Sequence, residues 1–150
     1  MTPSVRISTT RVIDAQPDAV RRILDDPSTY PAWVEALQRF EPQDDGTYVG
    51  EVGYLGRRKV RVLRQIADGP QRYAWVSVDD RSRIGWEVRL SLGPGADKTQ
   101  VSFIWEKEGS GSIFGASAHS PILKAALETV AERSLDQLAQ QSAGLALLEA

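Results

Sequence analysis

Few side chains in this 150-residue chain have the type and placement to do chemistry. His119 is the lone histidine, set between a glycine-rich stretch, Gly109 to Ala118, and a long apolar-striped segment. An imidazole there could act as a general acid or base at the mouth of a cavity. No carboxylate stands at a spacing that would orient it, and a surface loop is the commoner home for such a histidine. Arg64 is harder to dismiss. It lies well inside the alternating run Arg58–Ala67, on the parity shared by Val60, Val62 and Ile66. A charge on an apolar face is costly unless paired. A guanidinium there would offer a hydrogen-bond fork to a carbonyl, carboxylate or phenol. Tyr48, Tyr54 and Tyr73 are hydroxyls that could assist proton transfer in the same space. Arg57, Arg58, Lys59 and Arg61 make a basic cluster, which reads first as a solvated hairpin corner.

Composition narrows the rest. Zero cysteines exclude disulfides, thiolate metal sites and a cysteine nucleophile, and one histidine excludes a multi-histidine metal centre. No cofactor is implied: Gly109-Ser110-Gly111 lacks the strand-to-helix context and the lysine of a phosphate loop. A net charge of -2 gives no bulk attraction to nucleic acid or anionic lipid. The opening MTPSVRISTTR lacks the apolar core of a signal peptide, and no stretch approaches the length of a membrane span. A cytoplasmic protein without stable membrane insertion is the expectation. At 41% hydrophobic and 25% charged residues, residues 1–150 read as one globular domain with one core.

The elements that must position these groups follow from pattern and punctuation. Ser4–Asp14 is rich in Val, Ile and Thr and reads as a strand. Pro17 suits the first position of a helix, with Asp18 in its first turn and Val20, Ile23 and Leu24 on one stripe. Asp25-Asp26-Pro27 stops it, and Ser28 can cap a second short turn through Trp33 to Leu37. Strands are then predicted over Gln38–Pro42, Tyr48–Leu55, Arg58–Ala67, Arg72–Val78, Ile84–Leu92 and Gln100–Glu108. Turn-formers separate them, among them Asp44-Asp45-Gly46, Gly56, Asp68-Gly69-Pro70 and Gly93-Pro94-Gly95. Short separators imply antiparallel hairpins and a meander. Ser120 and Pro121 open a long helix whose stripe runs from Ile122 through Leu138, with Gly144 as its stop. The fold class is α+β: a curved antiparallel sheet of six to seven strands wrapped around that helix, two short helices closing one end.

The ordered run VIDAQPDAVRRILDDPSTYPAW, together with the stripe LKAALETVAERSLDQLA, resembles the START-like (SRPBCC, helix-grip) superfamily. The likeness spans about Val5 to Gln141 and is nearest to the polyketide cyclase/dehydratase-like and coenzyme Q-binding-like branches. One departure is Arg21, where the family often carries an aromatic residue. The resemblance implies an apolar cavity between sheet and long helix, holding a lipid, polyketide or quinone-like molecule. It implies no single chemistry, since some relatives are cyclases or dehydratases and many are carriers.

Parity assigns the lining. One face carries Tyr48, Val52 and Tyr54; then Val60, Val62, Arg64 and Ile66; then Tyr73, Trp75, Ser77 and Asp79. Ile84, Trp86, Val88, Leu90 and Leu92 continue it, followed by Val101, Phe103, Trp105 and Lys107. Trp33 from the short segment and Leu123, Leu127 and Val130 from the long helix complete the expected ligand contacts. Asp79 and Lys107 fall at strand ends, where parity fades into solvent. The leading expectation is carriage of a hydrophobic small molecule; the alternative is an aromatase/cyclase or dehydratase-like enzyme using Arg64, His119 and the tyrosines in the same cavity. A third reading is an interaction protein, for instance a homodimer, pairing through a sheet edge or the leucine-rich end Leu145–Leu148.

Overall fold

A computed structural model describes the backbone of residues 4–54, 57–77, 82–95, 97–109 and 121–149, with side chains for residues 6–53, 60–77, 84–95, 97–106, 121 and 124–145. Its elements are β1 (Ser4–Ile13), α1 (Pro17–Leu24), a 3-10 turn (Pro27–Ala32), β2 (Leu37–Pro42), β3 (Tyr48–Tyr54), β4 (Arg57–Asp68), β5 (Arg72–Ser77), β6 (Ser82–Leu92), β7 (Thr99–Gly109) and α2 (Pro121–Glu149). The seven strands form one antiparallel sheet in the order β1-β7-β6-β5-β4-β3-β2, curved around α2. The meander β2 to β7 follows from short turns. At the first, Gly46 takes φ 86°, and Asp45 accepts a hydrogen bond from the Thr47 amide at 3.0 Å. β1 closes the sheet against β7 in register from Ser4–Glu108 to Ile13–Thr99.

Helix α1 starts at Pro17, which needs no donor there, and buries Ala19, Val20, Ile23 and Leu24. At about 1.5–3 kcal/mol per large apolar side chain, this stripe is what holds so short a helix to the core. Arg21, in place of an aromatic, reaches sideways: its Nε donates to Pro70 O at 3.1 Å and its Nη1 pairs with Asp18. The 3-10 turn is capped by Asp26, whose Oδ1 accepts from the Ser28 amide at 3.1 Å; Ser28 lies inside the turn and is not its cap. Thr29 and Tyr30 then fold back, their hydroxyls donating to the carbonyls of Ile23 and Leu24 that end α1.

α2 presents Leu127, Val130, Ala131, Ser134, Leu135 and Leu138 as its buried stripe. It runs through Gly144 to Glu149, so Gly144 is no stop and Leu145–Leu148 is no free tail. Leu145 packs against the core; the side chains of residues 146–148 lie outside the described set. Four polar contacts tie α2 to the end of the 3-10 turn and the segment after it. Ser134 Oγ accepts from the Glu35 amide at 2.9 Å, Gln141 donates to Ala32 O at 3.1 Å, and Gln137 and Arg133 both engage the Glu35 carboxylate.

Strand parity departs from expectation in β4. Tyr48 stacks on Phe40 in the core and pairs with Leu63, so Leu63 faces in. Gly50 confirms the side: a Cβ there would meet Leu63 at 3.2 Å and Phe40 at 3.4 Å. Val60, Val62, Arg64 and Ile66 therefore face out, with Val60 58% and Ile66 41% exposed. A β-bulge between Gln65 and Ala67 makes Ile66 the extra residue. β4 is the strand with apolar residues at alternate positions on its outer face and a single buried leucine on its inner one, so binary pattern pointed the wrong way.

Candidate functional site

The inner face of the sheet is built in rows across the strands. Trp75, Trp86 and Trp105 are direct cross-strand partners on β5, β6 and β7, and the row continues to Gln65 on β4 and Ile7 on β1. The next row holds Tyr73, Val88 and Phe103, all fully buried. Trp75 and Trp86 stack at 6.3 Å between ring centroids, and Trp86 lies parallel to Phe103 at 5.7 Å. The segment after the 3-10 turn closes over these rows. Trp33 meets Trp86 and Phe103 edge-on at 6.4 and 6.1 Å, while Tyr30 contacts Trp75, Trp86 and Phe40. Tyr48 stacks on Phe40 at 4.8 Å and meets Trp75 edge-on at 4.9 Å. Such edge-to-face and offset pairs add about 0.5–1.5 kcal/mol each beyond area burial.

Of the expected ligand contacts, Trp33, Tyr48, Tyr73, Trp75, Trp86, Val88, Phe103 and Trp105 come together on this face. Leu127 and Val130 are buried on α2 but lie outside the aromatic cluster, which Ala131, Leu135 and Leu138 join instead. Val62 and Arg64 are not part of it. Both face out, Arg64 exposed, which removes the guanidinium fork proposed from its parity. Tyr54 and Leu123 are placed by backbone only, in β3 and α2, and His119 lies outside the described residues, as does Asp79. Arg61 and Gln65 are what parity missed. Both are half-buried at inner-face positions, opposite Gly50 and Trp75. The available signal was Leu63 between them and a glycine at the right distance in β3.

The electrostatics of the interior are those of neutral donors. The indole N–H groups of Trp33, Trp75 and Trp105 and the hydroxyl of Ser142 are buried without a hydrogen-bond partner among the described residues. The Trp75 indole lies near enough to the Tyr30 hydroxyl to oppose its pKa shift, yet does not meet hydrogen-bond geometry. Burial pushes Tyr30 well above the ordinary tyrosine value, and its hydroxyl donates to Leu24 O. Tyr73 is raised too, by burial first and then by donating to Asp25 Oδ1 at 2.6 Å. This pair closes the α1 end, where Gly69, at φ 76°, leaves room that a Cβ would take from the Tyr73 hydroxyl at 2.8 Å.

The outer face differs. A depression of about 160 Å³ lies over Ala74, Val76, Gly85 and Ile104, rimmed by Ile66, Arg72, Glu87 and Glu106. Glu87 is bridged by Arg72 and Arg89. Burial opposes its charge, but the hydrogen bonds from Arg72 and Arg89 outweigh that and hold its carboxyl below the usual glutamate value. Among the described residues no group of histidines and carboxylates could hold a metal ion, and no helix is long and apolar enough to cross a membrane.

A family model described as polyketide cyclase / dehydrase and lipid transport matches residues 4–143. The chain belongs to that family. No curated protein sequence matches it. Among solved structures it is similar to the Zhui aromatase/cyclase of a Streptomyces species, at 16% identity and a TM-score of 0.74, covering 93% of this chain and 94% of that one. A START superfamily protein from Mycobacterium smegmatis is 16% identical with a TM-score of 0.65, covering 97% of this chain and 99% of that one. A protein from Thermus thermophilus is 18% identical with a TM-score of 0.72, covering 95% and 98%. At these identities the likeness is one of fold, and the fold is helix-grip.

Proposed function

We propose that this family member binds a hydrophobic small molecule between the inner face of the sheet and α2. The observation that carries the reading is the in-register tryptophan row, roofed by Trp33 and the α2 stripe in a chain whose family is described by polyketide cyclisation and lipid transport. Apolar walls with a few convergent polar atoms are the usual make-up of a small-molecule site. An enzyme of the aromatase/cyclase kind would use the same space; with Arg64 on the outer face, Tyr48 and Tyr73 are its remaining candidates among the described side chains. Catalysis by positioning alone would ask little more of the walls.

The test is a panel of fatty acids, quinones and aromatic polyketides, followed by tryptophan fluorescence and thermal shift. At least one class is expected to give a saturable change and a raised melting temperature. Silence across the whole panel would overturn the reading.

A further inference from the structure

The two edges of the sheet are built differently. β2 ends the sheet on one side and β1 on the other. An open edge invites pairing with another chain, and proteins blunt it with proline, bulges or exposed charge. β2 carries all three: it includes Pro42, shifts register between Leu37 and Arg39, and exposes Arg39 and Glu41. β1 is less guarded. It runs ten residues without a proline and pairs with β7 without a register shift. Of its two arginines, Arg11 is held by Asp136 on α2. Arg6 is exposed with no ion-pair partner among the described residues, and so is Asp14, just past the other end of the strand.

The residues of this edge fit a second copy of themselves. A twofold axis through the sheet keeps both inner faces on one side, so residues of like parity oppose each other. Centred on Ser8, it would leave Asp14 without Arg6; centred on Thr9, it would set Ile7 against Arg11. Centred on Arg11, it would set two arginines together. Centred on Thr10, it sets Ile7 against Ile13, Ser8 against Val12 and Arg6 against Asp14, each pair formed twice. Opposite charges and apolar pairs across strands stabilise, and like charges destabilise. Val12, 44% exposed on the outer face, gains a neighbour in this register.

We propose that β1 is a dimer interface, at which a second copy of this chain adds its own β1 antiparallel, in the register centred on Thr10. The two seven-stranded sheets then run on as one. Main-chain hydrogen bonds supply affinity, and the Arg6–Asp14 pairs fix the register. The pairing uses backbone at the end of the sheet, so it stands or falls apart from the binding reading.

The chain has no cysteine, so one introduced thiol reports on the axis. Directly opposed residues of antiparallel strands have Cβ atoms about 4.5–5.5 Å apart, close to disulfide reach. Thr10→Cys is expected to form a covalent dimer under mild oxidation, while Glu41→Cys on the β2 edge stays uncoupled. Sedimentation equilibrium at roughly 100 µM should show the unaltered chain as a dimer. Arg6→Glu, which meets Asp14 with a like charge, is expected to weaken it about tenfold. Asp14→Arg in the same chain should restore it, with circular dichroism checking that each variant is folded. A monomer at that concentration, a dimer indifferent to Arg6→Glu, or equal cross-linking by Glu41→Cys would overturn the proposal.

Discussion

The two faces of the sheet solve the problem of polar groups differently. On the outer face Glu87 is nearly buried but answered by Arg72 and Arg89, each about half exposed. On the inner face the described polar atoms include three indole donors with nothing to meet them. The outer arrangement closes on itself; the inner one leaves its donors unmet among the described residues. That contrast, rather than the size of any depression, is what the proposed inner-face site rests on; on the rim of the outer hollow at Gly85, Glu87 is already paired with two arginines.

The largest expected effect that tests the contrast is Trp75→Ala. Removing a fully buried indole from the centre of the aromatic cluster is expected to cost about 3–5 kcal/mol in urea unfolding. A loss below about 1 kcal/mol would show that the inner row is not the core. Next comes alkaline stability. Tyr73 keeps its proton in the folded chain above the ordinary value near 10. The unfolded chain releases it first, so stability is full below about pH 10 and is lost as pH rises beyond it. Tyr73→Phe should make that decline shallower between about pH 10 and 11; an unchanged slope counts against the part-buried Tyr73–Asp25 contact.

Smaller effects belong to the outer face. Glu87 titrates below the ordinary glutamate value near 4.3. Its contribution is therefore present above that pH and lost as pH falls through the folded value. Glu87→Gln should flatten the acid limb of a melting-temperature profile and cost under about 1 kcal/mol at neutral pH, both arginines being half exposed. A loss several times larger would mean that the outer cluster carries the fold. Smallest is Arg64→Gln, expected within about 0.5 kcal/mol and without effect on ligand affinity. A tenfold loss of affinity would place Arg64 back in the site.

Pattern made most of this legible. Pro17, Asp25-Pro27 and the spacing of Val20, Ile23 and Leu24 mark α1 because each acts locally through φ, donor loss or helix periodicity. The rows on β5, β6 and β7 were readable because Trp75, Trp86 and Phe103 share one parity with Tyr73, Val88 and Val101, while Arg72, Glu87, Arg89 and Ser102 fall on the other. β4 was not, since Val60, Val62 and Ile66 outnumber Leu63 and no local rule says which set turns inward. Gly144 misled for the same kind of reason: a helix end signal is weak beside the packing of Leu138 and Leu145 on either side of it.

Local chemistry thus decided the order of elements, the meander and the long amphipathic helix, since turns, prolines and periodicity act within a few residues. Tertiary structure decided which face of β4 looks inward, because register comes from cross-strand pairing with Tyr48 and Gly50 and from the bulge at Ile66. It also decided which buried donors find acceptors, because that depends on groups more than forty residues away, as when the Tyr73 hydroxyl donates to Asp25.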